Sequence, residues 1–321
     1  MTVREFQPDD EPLLDQLAGL YPFKPYRDYR VWPRTRQHAM LMADIARSRA
    51  VDGHFMRVAG AGAGAVIGSC RPLTWDSTFF GVPMARIDWL RGPAAPGPLL
   101  THVLDSVLAE CRSRGIRHLT AKADVADMEA IAALEAAGFR TMDVLATYFT
   151  HPRRQAPPPV RDVGQVRPFE PRDEAEVLAI TAEAFAGFRG RFQLDPWLPR
   201  DRSDALYLEW ARQCCGGRMA DRMVVADNGK GGLAGWASTR RVEPASSAGG
   251  VTLWAGSLGA CRREHPGAYA GLIRELAAVN HAAGEVTETQ TQLHNVATVR
   301  VYVAVGAQYV RSDCTLHAWL G

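Results

Sequence analysis

Apolar positions along the chain follow two rhythms, one of period two and one close to 3.6. In the second half the extended rhythm predicts strands at VRPFE (166–170), MVVAD (223–227), LAGWASTRRVE (233–243), GVTLWAGSLGA (250–260) and TETQTQL (287–293). A helical region is expected from Asp173 through roughly Arg212. The stretch GAYAGLIRELAAVNHAAG (267–284) sets Leu272, Leu276 and Val279 on one helical face. A short helix from Asn295 and a final strand pair ending in CTLHAWL (314–320) close this half. The first half repeats the order with FMRVAG (55–60), AVIGSCRPLTW (65–75), ARIDWL (85–90), the helix LLTHVLDSVLAECRSRG (99–115), HLTAKAD (118–124), another helix and VLATYFTH (144–151). A β-α-α-β-β-β-α-β-α-β succession predicts an α/β (α+β) fold. Each half is a mixed, mostly antiparallel sheet with helices on both faces.

The two halves also echo residue by residue. VREFQPDDE (3–11) and VRPFEPRDE (166–174) share Val, Arg, Phe, Pro, Asp and Glu in register. AIAALEAAGF (130–139) and TVRVYVAVGA (298–307) each end an apolar helix at a glycine, Gly138 and Gly306, suited to the left-handed residue after a helix. The Pro- and Arg-rich HPRRQAPPPVRDVG (151–164) reads as a linker. Two copies of one domain are expected, 1–150 and 165–321.

With 47% apolar residues the chain has material for sizeable cores, which excludes a mainly disordered protein. Its 37 basic residues against 35 acidic ones give no basic excess, so a general nucleic-acid or membrane-surface binder is not expected. Only Lys24, Lys122 and Lys230 are lysines, and the arginine, alanine, glycine and proline content suggests a GC-rich bacterial source. MTVREFQPDDEP lacks the features of a secretory leader, and no window approaches 18 apolar residues, so a cytoplasmic protein is expected. The six cysteines show no CxxC spacing. They read as free thiols, with neither disulfides nor a metal site expected.

The element order, with a last helix reading Asn295, Ala297 just before Thr298, Tyr302 and Gly306, resembles the GNAT superfamily of N-acetyltransferases. WDSTFFGVP (75–83) looks like the W-D-S-x-F-F-G segment of the dTDP-fucosamine acetyltransferase family, whose members are tandem or partly duplicated GNAT proteins. FRGRFQLDPWLPRDRSDALYLEWARQC (188–214) and the ending LHAWL are similar to the same family.

That resemblance implies transfer of an acyl group from acetyl-CoA, or another acyl-CoA, directly to a primary amine. The pantetheine would lie where GVTLWAGSLGA and TETQTQL splay apart, using backbone groups near Leu258 and Ala260 for its amides and for the tetrahedral oxyanion. The pyrophosphate loop corresponds to CRREHPGAYAGL (261–272), with Arg262, Arg263, Gly267, Ala268 and Gly271 as the cradle. Pro266, which has no N–H, and Tyr269, where a small residue is usual, depart from the family pattern. Tyr302 corresponds to the acid that protonates the departing thiolate. Asn295 corresponds to a residue that bonds the pantetheine, and it also suits a helix N-cap. Tyr302 as a core aromatic, and the loop as an ordinary Pro-Gly helix start, are the competing readings.

On the acceptor side Arg189 and Arg191, with Arg200 and Arg202, suit a diphosphate such as that of a dTDP-sugar, or else form a solvated face. Trp75, with Phe79 and Phe80, suits stacking on a base or sugar, or else a core strand-turn. Glu243, His294 and His317 are candidate bases for the amine. Aligning Gly138 with Gly306 puts Asp127 opposite Asn295 and Leu134 opposite Tyr302, so the first copy is expected to lack activity toward CoA. Three functions stay open: acyl-CoA transfer to a nucleotide-linked amino sugar, transfer from the phosphopantetheine of an acyl carrier protein in natural-product biosynthesis, and a non-catalytic scaffold.

Overall fold

Each half of the chain opens with an arginine clamped to an aspartate six residues on. Arg4 meets Asp10 through Nη1 at 2.6 Å and Nη2 at 2.7 Å, and Arg167 meets Asp173 at 2.7 and 2.8 Å. In both copies the aspartate also accepts the N–H three residues earlier, from Gln7 and from Glu170, at 2.8 Å. One short motif therefore fixes the same strand-to-helix turn twice.

The computed structural model describes residues 2–30, 32–92, 97–151, 157, 164–243 and 245–321. Its contacts divide into two units, one holding Met1–Leu145 and Arg311–Gly321, the other Ala146–Val310. Most of the linker read at 151–164 falls outside the described residues.

In chain order the first half forms β1 (Arg4–Glu5), α1 (Glu11–Leu20), α2 (Arg34–Arg49), β2 (Phe55–Ala59), β3 (Val66–Pro72), α3 (Thr74–Phe80), β4 (Met84–Arg91), α4 (Pro98–Ser113), β5 (His118–Asp124), α5 (Met128–Ala136) and β6 (Arg140–Thr150). The second forms β7 (Val166–Pro168), α6 (Glu174–Ala184), α7 (Arg191–Leu194), α8 (Arg200–Cys215), β8 (Arg222–Asp227), β9 (Leu233–Arg241), α9 (Ala245–Gly249), β10 (Leu253–Cys261), α10 (Pro266–Ala282), β11 (Val286–Gln292), α11 (Val296–Ala304) and β12 (Gln308–Trp319).

The first unit orders its strands β1-β2-β3-β4-β5-β12, and the second β6-β11-β10-β9-β8-β7. Within each sheet β4·β5 and β10·β11 are parallel, while the other pairings whose register is resolved are antiparallel. The units are thus not the contiguous halves 1–150 and 165–321. Residues 146–150 belong with the second unit, and 311–321 return to the first. The final segment is one twelve-residue strand rather than a pair. It runs antiparallel to β5 from Asp313↔Asp124 to Trp319↔His118.

Period-two alternation places two cores on each sheet. In β8, Met223 and Val225 face α6 and α8, beside Val177, Ile180, Ala211 and Trp236. Val224 and Ala226 face α10, beside Leu272 and Leu276. Val279, expected on that helical face, is 39% exposed, because the buried stripe runs through Ala268, Leu272, Leu276 and Ala277 instead. The first unit repeats the scheme with α4 against one face and α1 and α2 against the other.

The segment read as a strand-turn around Trp75 is the short helix α3. The Ser77 and Thr78 hydroxyls donate back to Leu73 and Thr74 carbonyls, and Gly81 at φ +68° ends it. At the C-termini of α5 and α11, Gly138 (φ +91°) and Gly306 (φ +83°) adopt the left-handed conformation. The following residue's N–H returns to Leu134 and to Tyr302 respectively, at 3.0 Å, which completes a Schellman motif in each copy.

Candidate functional site

The parting of two parallel strands builds the site in the second unit. β10 and β11 stay in register only at Leu253↔Val286, Trp254↔Thr287 and Ala255↔Glu288, and then separate. The cause lies on the other side of β10. Its pairing with β9 shifts between Gly256 and Gly259, so Ser257 and Leu258 form a bulge that bends the strand.

A set of polar groups that sequence reasoning did not pick out braces this bulge. Trp210 Nε1–H donates to Ser257 Oγ at 3.2 Å, and the Ser257 hydroxyl donates to the Met219 carbonyl at 3.0 Å. The Leu258 N–H donates to Ser238 Oγ at 3.1 Å, while the Ser238 hydroxyl donates to the Leu258 carbonyl at 2.8 Å. Cys214 Sγ lies 3.8 Å from both serine oxygens, and burial pushes its thiol pKa up. Serines and a cysteine on three separate elements carry no common spacing, so the sequence held no signal for them.

This bracing corrects the expectation for Leu258 and Ala260. The Leu258 backbone is taken up by Ser238, and the Arg262 N–H donates to the Ala234 carbonyl at 2.9 Å. Alternation puts Ala260, opposite Trp236, on that same β9 side. Gly259 and Cys261 are therefore the residues whose N–H groups turn toward the parting.

Tyr302 stands on the α11 side of the parting and is 4% exposed. Its hydroxyl donates to the Gln290 carbonyl on β11 at 3.4 Å. Its ring sits 5.5 Å from that of Tyr148. Burial, before any neighbouring group, raises its pKa well above that of an ordinary phenol. Asn295 caps α11, its side-chain oxygen accepting the Thr298 N–H at 3.3 Å.

The loop after β10 satisfies much of its own anion-binding capacity. Arg262 donates through Nε to the Leu233 carbonyl at 3.0 Å. It also meets Glu183 at 3.3 Å and Glu176 at 3.8 Å. The Arg263 N–H donates to Glu183 Oε1 at 3.2 Å. At the start of α10, Pro266 has no donor and the Ala268 N–H returns to the His265 carbonyl at 3.0 Å. Gly267 is exposed, whereas Ala268 and Gly271 are buried.

The expected acceptor arginines are not gathered into one cluster. Arg189 is exposed, Arg191 lies 4.5 Å above the Phe192 ring, Arg200 pairs with Asp204 and Arg202 with Asp201. What α6 and α8 bring together is aromatic. Phe185 stacks on Tyr207 at 4.1 Å, Phe188 meets Tyr207 edge-on at 5.1 Å, and Trp210 follows at 6.4 Å. Trp75 belongs to the first unit and stacks on Phe79 at 5.2 Å. Of the candidate bases, Glu243 pairs with Arg241 and accepts the Ser247 hydroxyl, and His294 is exposed. His317 is buried in the first unit against His118.

The matching place in the first unit is filled by its own side chains. β4 and β5 part after Ile87↔Ala121, and Asp127 caps α5 through the Ala130 N–H. The Tyr21 hydroxyl donates to Asp127 Oδ2 at 2.5 Å. Arg91 reaches the same oxygen at 3.5 Å and lies 4.2 Å above the Tyr21 ring. Leu134, opposite Tyr302 in the repeat, is buried.

No family model matches the chain. Among curated proteins, the spore coat polysaccharide biosynthesis protein SpsD of Bacillus subtilis (strain 168) is 27% identical over 164 residues. Those residues are 51% of this chain and 53% of that protein, so the chain spans about half the length of the relative it matches. A GCN5-related N-acetyltransferase from Sphaerobacter thermophilus is structurally similar with a TM-score of 0.61 at 14% identity, over 99% of this chain and 95% of that one. A tandem GNAT protein from the clavulanic acid biosynthesis pathway gives a TM-score of 0.52 at 16% identity, over 100% and 98%. The chain has the GNAT-like α/β fold, with a tandem GNAT protein among its structural neighbours.

Proposed function

We propose that the second unit is an acyltransferase that moves an acyl group, acetyl in the simplest case, from a CoA thioester to a primary amine. The observation that carries this reading is the parting of β10 and β11 with the Tyr302 hydroxyl directed at its β11 side. A thioester chain laid along β10 meets N–H groups at Gly259 and Cys261, which suit the pantetheine amides and the oxyanion. Tyr302 is the acid. As the neutral amine attacks, the N–C bond forms and the C–S bond breaks; the phenol proton passes to the leaving thiolate, and the proton the nitrogen loses returns to the phenolate through solvent.

Asn295, Arg262, Arg263, Gly267, Ala268 and Gly271 are the remaining donor-side residues of this reading. Arg189 and Arg191, with the aromatic group on α6 and α8, serve the acceptor. A nucleotide-linked amino sugar is the acceptor best supported, on two grounds. One is the WDSTFFG resemblance around Trp75, and the other is the partial likeness to a protein of polysaccharide biosynthesis. The first unit, with Leu134 for Tyr302 and a charged pair across its parting, is assigned no transfer chemistry.

Thermal unfolding with acetyl-CoA tests the donor, since a ligand at 100 times its Kd adds about 2.7 kcal/mol of stability. Tyr302→Phe is expected to slow transfer at least about tenfold with an unchanged melting temperature. Equal turnover would remove Tyr302 from the chemistry. A second donor reading, a phosphopantetheine arm on a carrier protein, is favoured by one observation: the Glu183 carboxylate occupies donors that a diphosphate needs.

A further inference from the structure

The parting in the second unit has two faces, and Tyr302 serves only one of them. On β11 the Thr287 hydroxyl accepts the Asn280 Nδ2–H of α10 at 2.7 Å, so buried Thr287, Thr289 and Thr291 point toward α10 and α11. Tyr302 reaches the strand from that side and donates to the Gln290 carbonyl. Alternation turns the Glu288 and Gln290 side chains the other way, to the face that α8 covers with Trp210 and Cys214. Glu288 is the last β11 residue in register with β10. It stands opposite Ala255, which in turn pairs with Arg240 of β9. A guanidinium, a methyl and a carboxyl therefore share one row on the α8 face, with the short methyl between the two charged ends. The carbonyl that Tyr302 bonds lies two residues, roughly 6.6 Å, along the strand from Glu288.

We propose that Glu288 is the catalytic base of the second unit: its carboxylate receives the acceptor ammonium on the α8 face and takes one of its protons, while Tyr302 serves the sulfur on the α11 face. The proposal rests on the reading that this unit transfers an acyl group to an amine. An ammonium has no lone pair, so it loses a proton before the N–C bond forms. Glu288 accepts that proton and passes it to water, which reaches the half-buried carboxyl. The proton that the nitrogen loses after attack restores the Tyr302 phenol, so both residues end the cycle as they began. The nearby carboxyls of α6 are engaged elsewhere. Glu176 accepts the Leu233 N–H at 2.7 Å, and Glu183 takes the Arg263 N–H and the Arg262 side chain beyond the end of β10. Arg240 is the charged group that faces Glu288 from β9. Trp210 and the Cys214 thiol from α8, and Thr147 of β6, which accepts the Gln290 side chain, face it uncharged.

Steady-state transfer by the full chain from acetyl-CoA to dTDP-fucosamine, with butylamine as a second acceptor, tests this between pH 6 and 10. Glu288→Gln keeps the shape and is expected to lower kcat at least about tenfold at pH 7, with the KM for acetyl-CoA unchanged within about twofold. That deficit is expected to close at high pH, where the acceptor arrives as the neutral amine. Glu288→Asp keeps the carboxyl but withdraws it by one methylene, and it is expected to show a smaller loss with the same pH dependence. It also serves as the check if the glutamine variant fails to fold. Variants that turn over as fast as the wild type, or a deficit that is equal at every pH, overturn the base and leave the acyltransferase reading intact. If the wild type transfers acetyl to neither acceptor, both fall.

Discussion

At the scale of single residues, the first unit holds a histidine whose titration has a consequence for stability. His54 Nε2 is buried without a hydrogen-bond partner among the described residues. Burial lowers its pKa to about 4, with Arg49, Arg71 and Arg114 adding to the effect and Asp88 opposing it. The folded form therefore resists protonation that the unfolded chain accepts near pH 6.5. Stability is full above that pH and is lost progressively as pH falls from about 6.5 toward about 4. Denaturant unfolding of His54→Gln is expected to show a flatter stability profile than the wild type across that window. Parallel profiles would show that His54 does not couple to folding.

At the scale of elements, the repeated turns and helix ends make separable contributions. The Arg167 side chain, through its hydrogen bonds, holds the Asp173 carboxyl below the usual carboxylate range, and Arg4 does the same for Asp10. Stability from each pair is present above the ordinary aspartate pKa of about 3.9 and is lost as pH falls through the lower folded value. Asp173→Asn should cost about 2 kcal/mol at neutral pH and flatten the acid limb of the stability curve, as urea titrations from pH 7 to 2 would read. At the end of α11, Gly306 has open space around its Cα, so an added methyl meets no neighbour. The φ of +83° alone sets the cost, and Gly306→Ala is expected to destabilise by about 1 kcal/mol in thermal unfolding. These features were legible in the sequence because each is written within a few consecutive residues: an Arg six before an Asp, or a Gly after an apolar helix. The bulge in β10 was not, since Ser238, Ser257, Cys214 and Trp210 act on it from three separate elements. Tyr302 was marked by the resemblance of its helix to the GNAT pattern, whereas its bond to the Gln290 carbonyl depends on how α11 packs on β11.

At the scale of the whole molecule, duplication was readable but the assignment of the last strands was not. The alternation in β12 is the same whichever sheet it joins, and only pairing with β5 reveals its place. Residues 311–321 supply buried Thr315, Leu316, His317 and Leu320 to the first unit. A chain ending at Val310 is therefore expected to lose the cooperative unfolding of the first unit. Limited proteolysis would then cut within residues 2–145 first. Protection of those residues equal to that of the intact chain would show that β12 is dispensable.

The return of β12 also sets an order of events during synthesis. The first unit's sheet lacks its last strand until residues 146–310 have been made. At about 5–20 residues per second that is an interval of roughly ten to thirty seconds. Through that interval β5 presents an unpaired edge, and Leu119 and Ala121 beside it await Leu316 and Ala318. The unit encoded first is thus the one completed last, and it depends on a nascent chain that keeps its open edge from other partners in the meantime.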